Sequence, residues 1–149
     1  MEKAVYIDGF YDTAKGLSAG FQRLYYGEEF CEKKLILIES KLLKVIAQAK
    51  ENDLAVTFVT PFCTDFGLKL IDKMLGFLPP GSEVVFNDWG VLDLIKKYRL
   101  SPVLGRLLVT VKRDPRFGDL LDKAEKEIAQ LANLNNNNFQ KFLTAEKIK

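Results

Sequence analysis

The stretch Glu83–Arg116, EVVFNDWGVLDLIKKYRLSPVLGRLLVTVKRDPR, reads as strand, turn, helix, strand and loop. Glu83–Phe86 is β-forming, and either Asn87 or Asp88 suits the cap of a following helix. Val91, Leu94, Ile95 and Tyr98 then recur at helical spacing, and Pro102–Leu108, which contains Gly105, reads as the next strand. Asn87, Asp88, Arg106 and Arg113 all fall just after β-forming runs. In a parallel α/β protein that is where ligands are met.

The same strand-then-helix unit is repeated on the N-terminal side. Ala4–Ile7 is a short strand ended by Asp8-Gly9, followed by a weak helix around Thr13–Phe21. Arg23–Tyr26 is a second strand closed by Gly27, and Glu28–Lys34 reads as a loop or short helical turn. Ser40–Lys50 is an amphipathic helix with Leu42, Leu43, Ile46 and Ala49 on one face. Leu54–Thr60 is a strand ended by Pro61. Thr64 or Asp65 caps the next helix, whose Leu68, Ile71, Leu75 and Leu78 face inward until Pro79-Pro80-Gly81 stops it. On the C-terminal side, a helix buries Phe117, Leu120, Leu121, Ala124, Ile128 and Leu131. The run Asn135–Asn138 reads as a linker before a short terminal helix. The expected division is one barrel-type domain over residues 1–134 and a linker with a helix over 135–149.

Strands alternating with helices imply an α/β protein with a parallel sheet and right-handed crossovers. An open doubly wound sheet and part of a TIM-type (β/α) barrel both fit. A complete barrel takes roughly 250 residues, so a chain this short supplies about half of one. No G-x-G-x-x-G and no P-loop is present, so nucleotide binding has no motif behind it.

Composition narrows the chemistry. The 149 residues are 48% hydrophobic and 28% charged, values of an ordinary globular domain. A formal net charge of +2 is too small for nucleic-acid binding through a general basic field. There is no histidine, so Ser–His–Asp and Cys–His catalysis within this chain are excluded. Two cysteines, Cys31 and Cys63, make neither a disulfide framework nor a CxxC site and fit a reducing cytosol. No apolar run approaches bilayer length and the first residues lack a signal-peptide layout, so the expectation is a cytoplasmic protein with no membrane partner.

Each candidate site residue has a structural reading beside the functional one. Asn87 and Asp88 supply a helix cap, but capping does not require both, so one is a candidate for orienting a polar substrate. Arg106, inside an apolar strand, needs a carboxylate partner such as Asp88, Asp65 or Glu28, or else an anionic ligand. Glu28 is either that partner or a site carboxylate. Lys112, Arg113 and Arg116 are candidates for phosphate or RNA contact, against a loop self-paired with Asp114 and Asp119. Phe30, Phe62 and Trp89 follow strand ends and either line a pocket or pack in the core.

Three segments carry a family resemblance. LYYGEEFCE at Leu24–Glu32, FVTP at Phe58–Pro61, and NDWGVL at Asn87–Leu92 followed by GRLL at Gly105–Leu108 resemble strand-end motifs of the peptidase U-32, collagenase-like family. The resemblance covers roughly residues 20–117, in the order and spacing of that family. It implies the N-terminal half of a TIM-type barrel. It also implies kinship with iron–sulfur proteins of oxygen-independent hydroxylation, in ubiquinone synthesis and on RNA bases, and with members that carry a peptidase label. In the iron–sulfur members a cysteine shortly after the Gly-Glu of the second strand ligates a 4Fe–4S cluster, and Cys31 matches that position. The other ligands come from the second half of the barrel.

Beyond Arg116 this sequence has no further cysteine, and a cubane cluster takes about four thiolates. The expectation is therefore a half-barrel inactive alone: an N-terminal fragment, a half that a partner chain completes, or a half that has lost the chemistry. A cluster forms only if a partner supplies cysteines, and the partner is a second copy or a complementary barrel half. A non-catalytic scaffold that pairs in the same way is the alternative.

Overall fold

The computed structural model of the chain describes residues 2–7, 20–111, 122, 123, 125 and 131–149. Arg113, the Lys112–Arg116 loop, most of the helix expected around Thr13 and most of that expected after Phe117 lie outside these residues. The chain divides into two compact units, Met1–Val103 and Leu104–Lys149.

The first unit is built on a parallel sheet of β1 (Ala4–Ile7), β2 (Arg23–Gly27), β3 (Ala55–Val59), β4 (Glu83–Phe86) and β5 (Ser101–Leu104). Three helices connect the later strands: α1 (Leu35–Glu51), α2 (Asp65–Leu75) and α3 (Trp89–Lys97). The spatial order is β1-β2-β3-β4-β5, identical to the sequence order. That order separates the two architectures left open by the sequence. A doubly wound sheet reverses direction at a switch point, whereas a (β/α) barrel adds each strand beside the last. With right-handed crossovers, a sequential order puts every helix on one face. Consistent with this, α1 packs on α2 and α2 on α3 in a single layer. The fold is α/β and barrel-like, with five strands in one sheet.

The pairing register sorts the strand residues onto two faces. Tyr26 lies opposite Phe58 and Phe58 opposite Val84, and Leu24 and Phe86 share their face. All five are buried, and the Tyr26 hydroxyl donates to the Ile38 carbonyl of α1 at 3.1 Å, so this face meets the helices. Against it lie Leu35, Ile38, Leu42, Val45 and Ala49 of α1, Ile71, Met74 and Leu75 of α2, and Val91, Leu92 and Ile95 of α3, all buried. Their i, i+3, i+4 and i+7 spacing is what makes these segments helices with one buried stripe. Cross-helix pairs Lys73–Glu39 and Lys97–Asp72 tie the layer on its outside.

The opposite, inner face carries Tyr6, Tyr25, Thr57 and Glu83 in one row across four strands. At its N-terminal end, Arg23 Nη1 donates to Thr57 Oγ1 and to Glu83 Oε2, both at 2.8 Å, and Arg23 Nε donates to Glu2. Tyr6 is 50% exposed, and Tyr25 and Val85 are half-buried. This face is therefore less covered than the helix face.

Several boundaries differ from the sequence reading. Helix α1 begins at Leu35 rather than Ser40, and Leu43 points outward while Val45 points in. The shift follows from Leu35 and Ile38, which extend the buried stripe by one turn. β5 ends at Leu104, and Arg106–Leu108 forms a 3-10 turn. Arg106 is exposed there, so it is not a charge buried within a strand.

In the second unit, the helix α4 (Asn137–Ala145) starts inside the asparagine run. Asn136 Oδ1 accepts from the backbone N–H of Asn138 and Phe139, which makes the run a helix cap rather than a linker at its C-terminal end. Before it, the Asn133 side chain donates to the Leu108 carbonyl and accepts from the Thr110 N–H.

Candidate functional site

The loops after β2, β3 and β4 open at the same end of the sheet because the strands are parallel, and side chains stitch them together. Gly27 begins the first loop with φ +146, and a Cβ there would stand 2.0 Å from the Val59 carbonyl oxygen. Only glycine allows the end of β2 to approach β3 this closely. Glu28 follows at 4% exposure. Its carboxylate accepts from the Phe30 N–H at 3.1 Å and pairs with Lys34 Nζ at 2.9 Å. Lys34, rather than a distant arginine, is thus a charge partner of Glu28. Cys31 is half-buried and precedes a 3-10 turn over Glu32–Lys34.

The second loop is held from both sides. Glu32 reaches over from the β2 loop to accept from the Thr64 N–H at 2.7 Å and from the Thr64 hydroxyl. Asp88 reaches from the β4 loop to accept from the Cys63 N–H at 3.1 Å. Its other oxygen accepts from the Gly90 N–H at 2.8 Å and so caps α3. Asn87 is fully buried and donates to the Thr60 carbonyl at 2.8 Å, fixing the end of β4 to the end of β3. The structure thus brings Glu28, Asn87 and Asp88 to one end of the first unit, where each makes a loop-fixing hydrogen bond or ion pair. Arg106 belongs to the second unit, and Arg113 lies outside the described residues.

Cys63 sits inside this lattice, with Sγ donating to the Pro61 carbonyl at 3.4 Å. Burial first, then the Asp88 and Glu32 carboxylates, push its thiol from 9.0 up to about 12. At neutral pH it is a thiol, not a thiolate. Helix residue Gly67 makes room for this arrangement, since a Cβ there would fall 2.5 Å from Glu32 Oε2 and 3.2 Å from Cys63 Sγ.

These residues do not fit a resident iron–sulfur cluster. Among the described residues no three of His, Cys, Asp and Glu gather as a metal site. Of the chain's two cysteines, Cys63 is held protonated, first by its burial and then by the Asp88 and Glu32 carboxylates.

What the residue pattern did not single out is Glu32 and Phe66. Glu32 binds a residue 32 positions away, and no local signal carries such a pairing. Phe30, Phe62 and Trp89, read as pocket or core, are 64%, 52% and 41% exposed, and Phe66 is 55% exposed. Trp89 rests edge-on against buried Phe86, with ring centroids 5.5 Å apart.

No protein-family profile, no curated protein and no solved structure matches this chain. In the described residues, no helix is long and apolar enough to cross a membrane.

Proposed function

We propose that this chain is a half-barrel subunit, related to the N-terminal half of the peptidase U-32 family, that works by pairing and is not an enzyme alone. The observation that supports pairing is the inner face of the sheet. Among the described residues β1 pairs only with β2, the sheet does not close on itself, and Tyr6, Tyr25 and Val85 are only partly covered. A closed barrel packs side chains of this face against those of further strands. An open edge and a part-covered aromatic face invite the same cover from a second copy or a complementary chain.

The kinship with iron–sulfur hydroxylases and peptidase-labelled proteins rests on the quoted strand-end segments. Gly27 and Glu28 of that motif are a packing glycine and a buried loop-fixing carboxylate, so the motif supports a shared loop architecture more than a shared reaction. The purified chain is expected to be colourless, free of iron and sulfide under anaerobic purification, and inactive on gelatin.

Sedimentation velocity over a range of micromolar concentrations tests the pairing. A dimer or larger species is expected, and a monomer at every concentration overturns it. Cluster ancestry is tested by iron and sulfide analysis after co-expression with a cysteine-bearing partner half.

A further inference from the structure

We propose that the C-terminal strand ends of the first unit form a docking surface for a positively charged peptide segment. Two independent observations carry it. The first is the aromatic rim. Phe30, Phe62, Phe66 and Trp89 are each at least 41% exposed, and all four sit on the loops after β2, β3 and β4 or at the helix start that follows. Single exposed aromatics are ordinary, whereas grouped ones mark interaction sites, and aromatics dominate interface hot spots.

These side chains stand on fixed loops. Phe62 precedes Cys63, whose N–H is held by Asp88, and Trp89 follows Asp88 itself. Phe66 opens the helix after Thr64, which is held by Glu32, and Phe30 has its N–H held by Glu28. A surface already fixed loses little conformational entropy when it binds.

The second observation is charge, which selects the occupant. Loop residues 28–32, 60–66 and 87–89 contain Glu28, Glu29, Glu32, Asp65 and Asp88 and no lysine or arginine, within a chain of formal charge +2. The nearest bases in sequence, Lys33 and Lys34, lie on the turn that follows, and Lys34 is paired with Glu28. Glu28 is buried and paired, which leaves Glu29, Glu32, Asp65 and Asp88 as the carboxylates beside the exposed rings. Such carboxylates favour lysine and arginine through Coulombic and cation–π attraction, and repel nucleic acid. Neighbouring strands are about 4.8 Å apart, so three loop ends span roughly 10 Å, the reach of about three extended residues. That size fits a peptide segment. The surface lies at strand ends rather than at the sheet edges or inner face, so it does not depend on the pairing proposed above.

Trp89 is the chain's one tryptophan and stands on the rim, so its fluorescence reads occupancy directly. The full chain is titrated with a short lysine- and arginine-rich peptide and with a glutamate-rich peptide of the same length. The basic peptide is expected to give a saturable change, weakened at about 0.5 M salt, where screening is short-ranged. The acidic peptide is expected to give none. In the Phe62→Ala/Phe66→Ala variant, which alters two exposed side chains, affinity is expected to fall about tenfold with the circular dichroism spectrum unchanged. Three results overturn the proposal: no saturable response to the basic peptide, an equal response to both peptides, or a Trp89 signal that changes with protein concentration alone. The last would mean that a second copy occupies this face.

Discussion

Gly27 and Val59 meet where β2 and β3 end, and a Cβ on Gly27 would lie 2.0 Å from the Val59 carbonyl oxygen. The Val59 carbonyl also accepts the Glu28 N–H at 3.1 Å, so it cannot turn away without breaking that bond. Gly27→Ala is therefore expected to destabilise the chain by about 3 kcal/mol, from overpacking plus a φ that alanine rarely adopts. Urea unfolding measures this, and a change within about 0.5 kcal/mol would mean that the strand ends are not held at this spacing.

Arg23 and Glu83 face each other across β3, with Arg23 Nη1 also on Thr57. Their side chains are 19% and 20% exposed, so solvent screens the pair less than a surface one. Glu83→Gln is expected to cost about 2 kcal/mol, because it leaves a largely buried guanidinium with only part of its partner set. A double-mutant cycle with Arg23→Met should return a coupling of at least about 1 kcal/mol. Additive single effects would show that the pair is ornamental to the fold.

The architecture was legible in the sequence because it rests on period and punctuation. β1 and β4 occur at the expected residues, whereas the helix before β4 ends at Leu75 with its cap at Gly76, short of Leu78 and of the expected Pro79-Pro80-Gly81 stop. Arg106 was misjudged because LGRLL has strand composition, whereas its backbone folds into a 3-10 turn after Gly105. Leu43 was misplaced because adjacent leucines at 42 and 43 fit either of two helical phases. The partners at the strand ends were beyond reach. Glu32 to Thr64, Asp88 to Cys63 and Asn87 to Thr60 span 25 to 32 positions, set by sheet register rather than by local pattern.

Asp88 does two tasks with two oxygens, capping α3 at Gly90 and holding the Cys63 N–H. Asparagine retains an acceptor in the cap, so Asp88→Asn is expected to fold with a loss of less than about 1 kcal/mol. Asp88→Ala loses both bonds and should cost about 2 kcal/mol. Equal thermal midpoints for the two variants would show that neither bond holds the loop.

Cys63 links this lattice to pH. Its thiol is raised from 9.0 to about 12 in the folded chain by burial, then by Asp88 and Glu32. A raised folded value means that the native state holds this proton more tightly than the unfolded state does. The stabilising contribution is complete below about pH 9, and stability then falls as pH rises toward 12. Cys63→Ala should flatten that part of the stability profile while lowering stability at neutral pH through lost packing. Thiol labelling of the folded chain should leave Cys63 nearly inert at pH 8, since the thiolate is the reacting form. Glu32→Gln combined with Asp88→Asn should speed its labelling only in part, because burial is the largest cause and remains. Labelling of Cys63 at the rate of a free thiol at pH 8 would show that the loop does not shield it, and with it the hydrogen-bonded lattice that joins β2, β3 and β4.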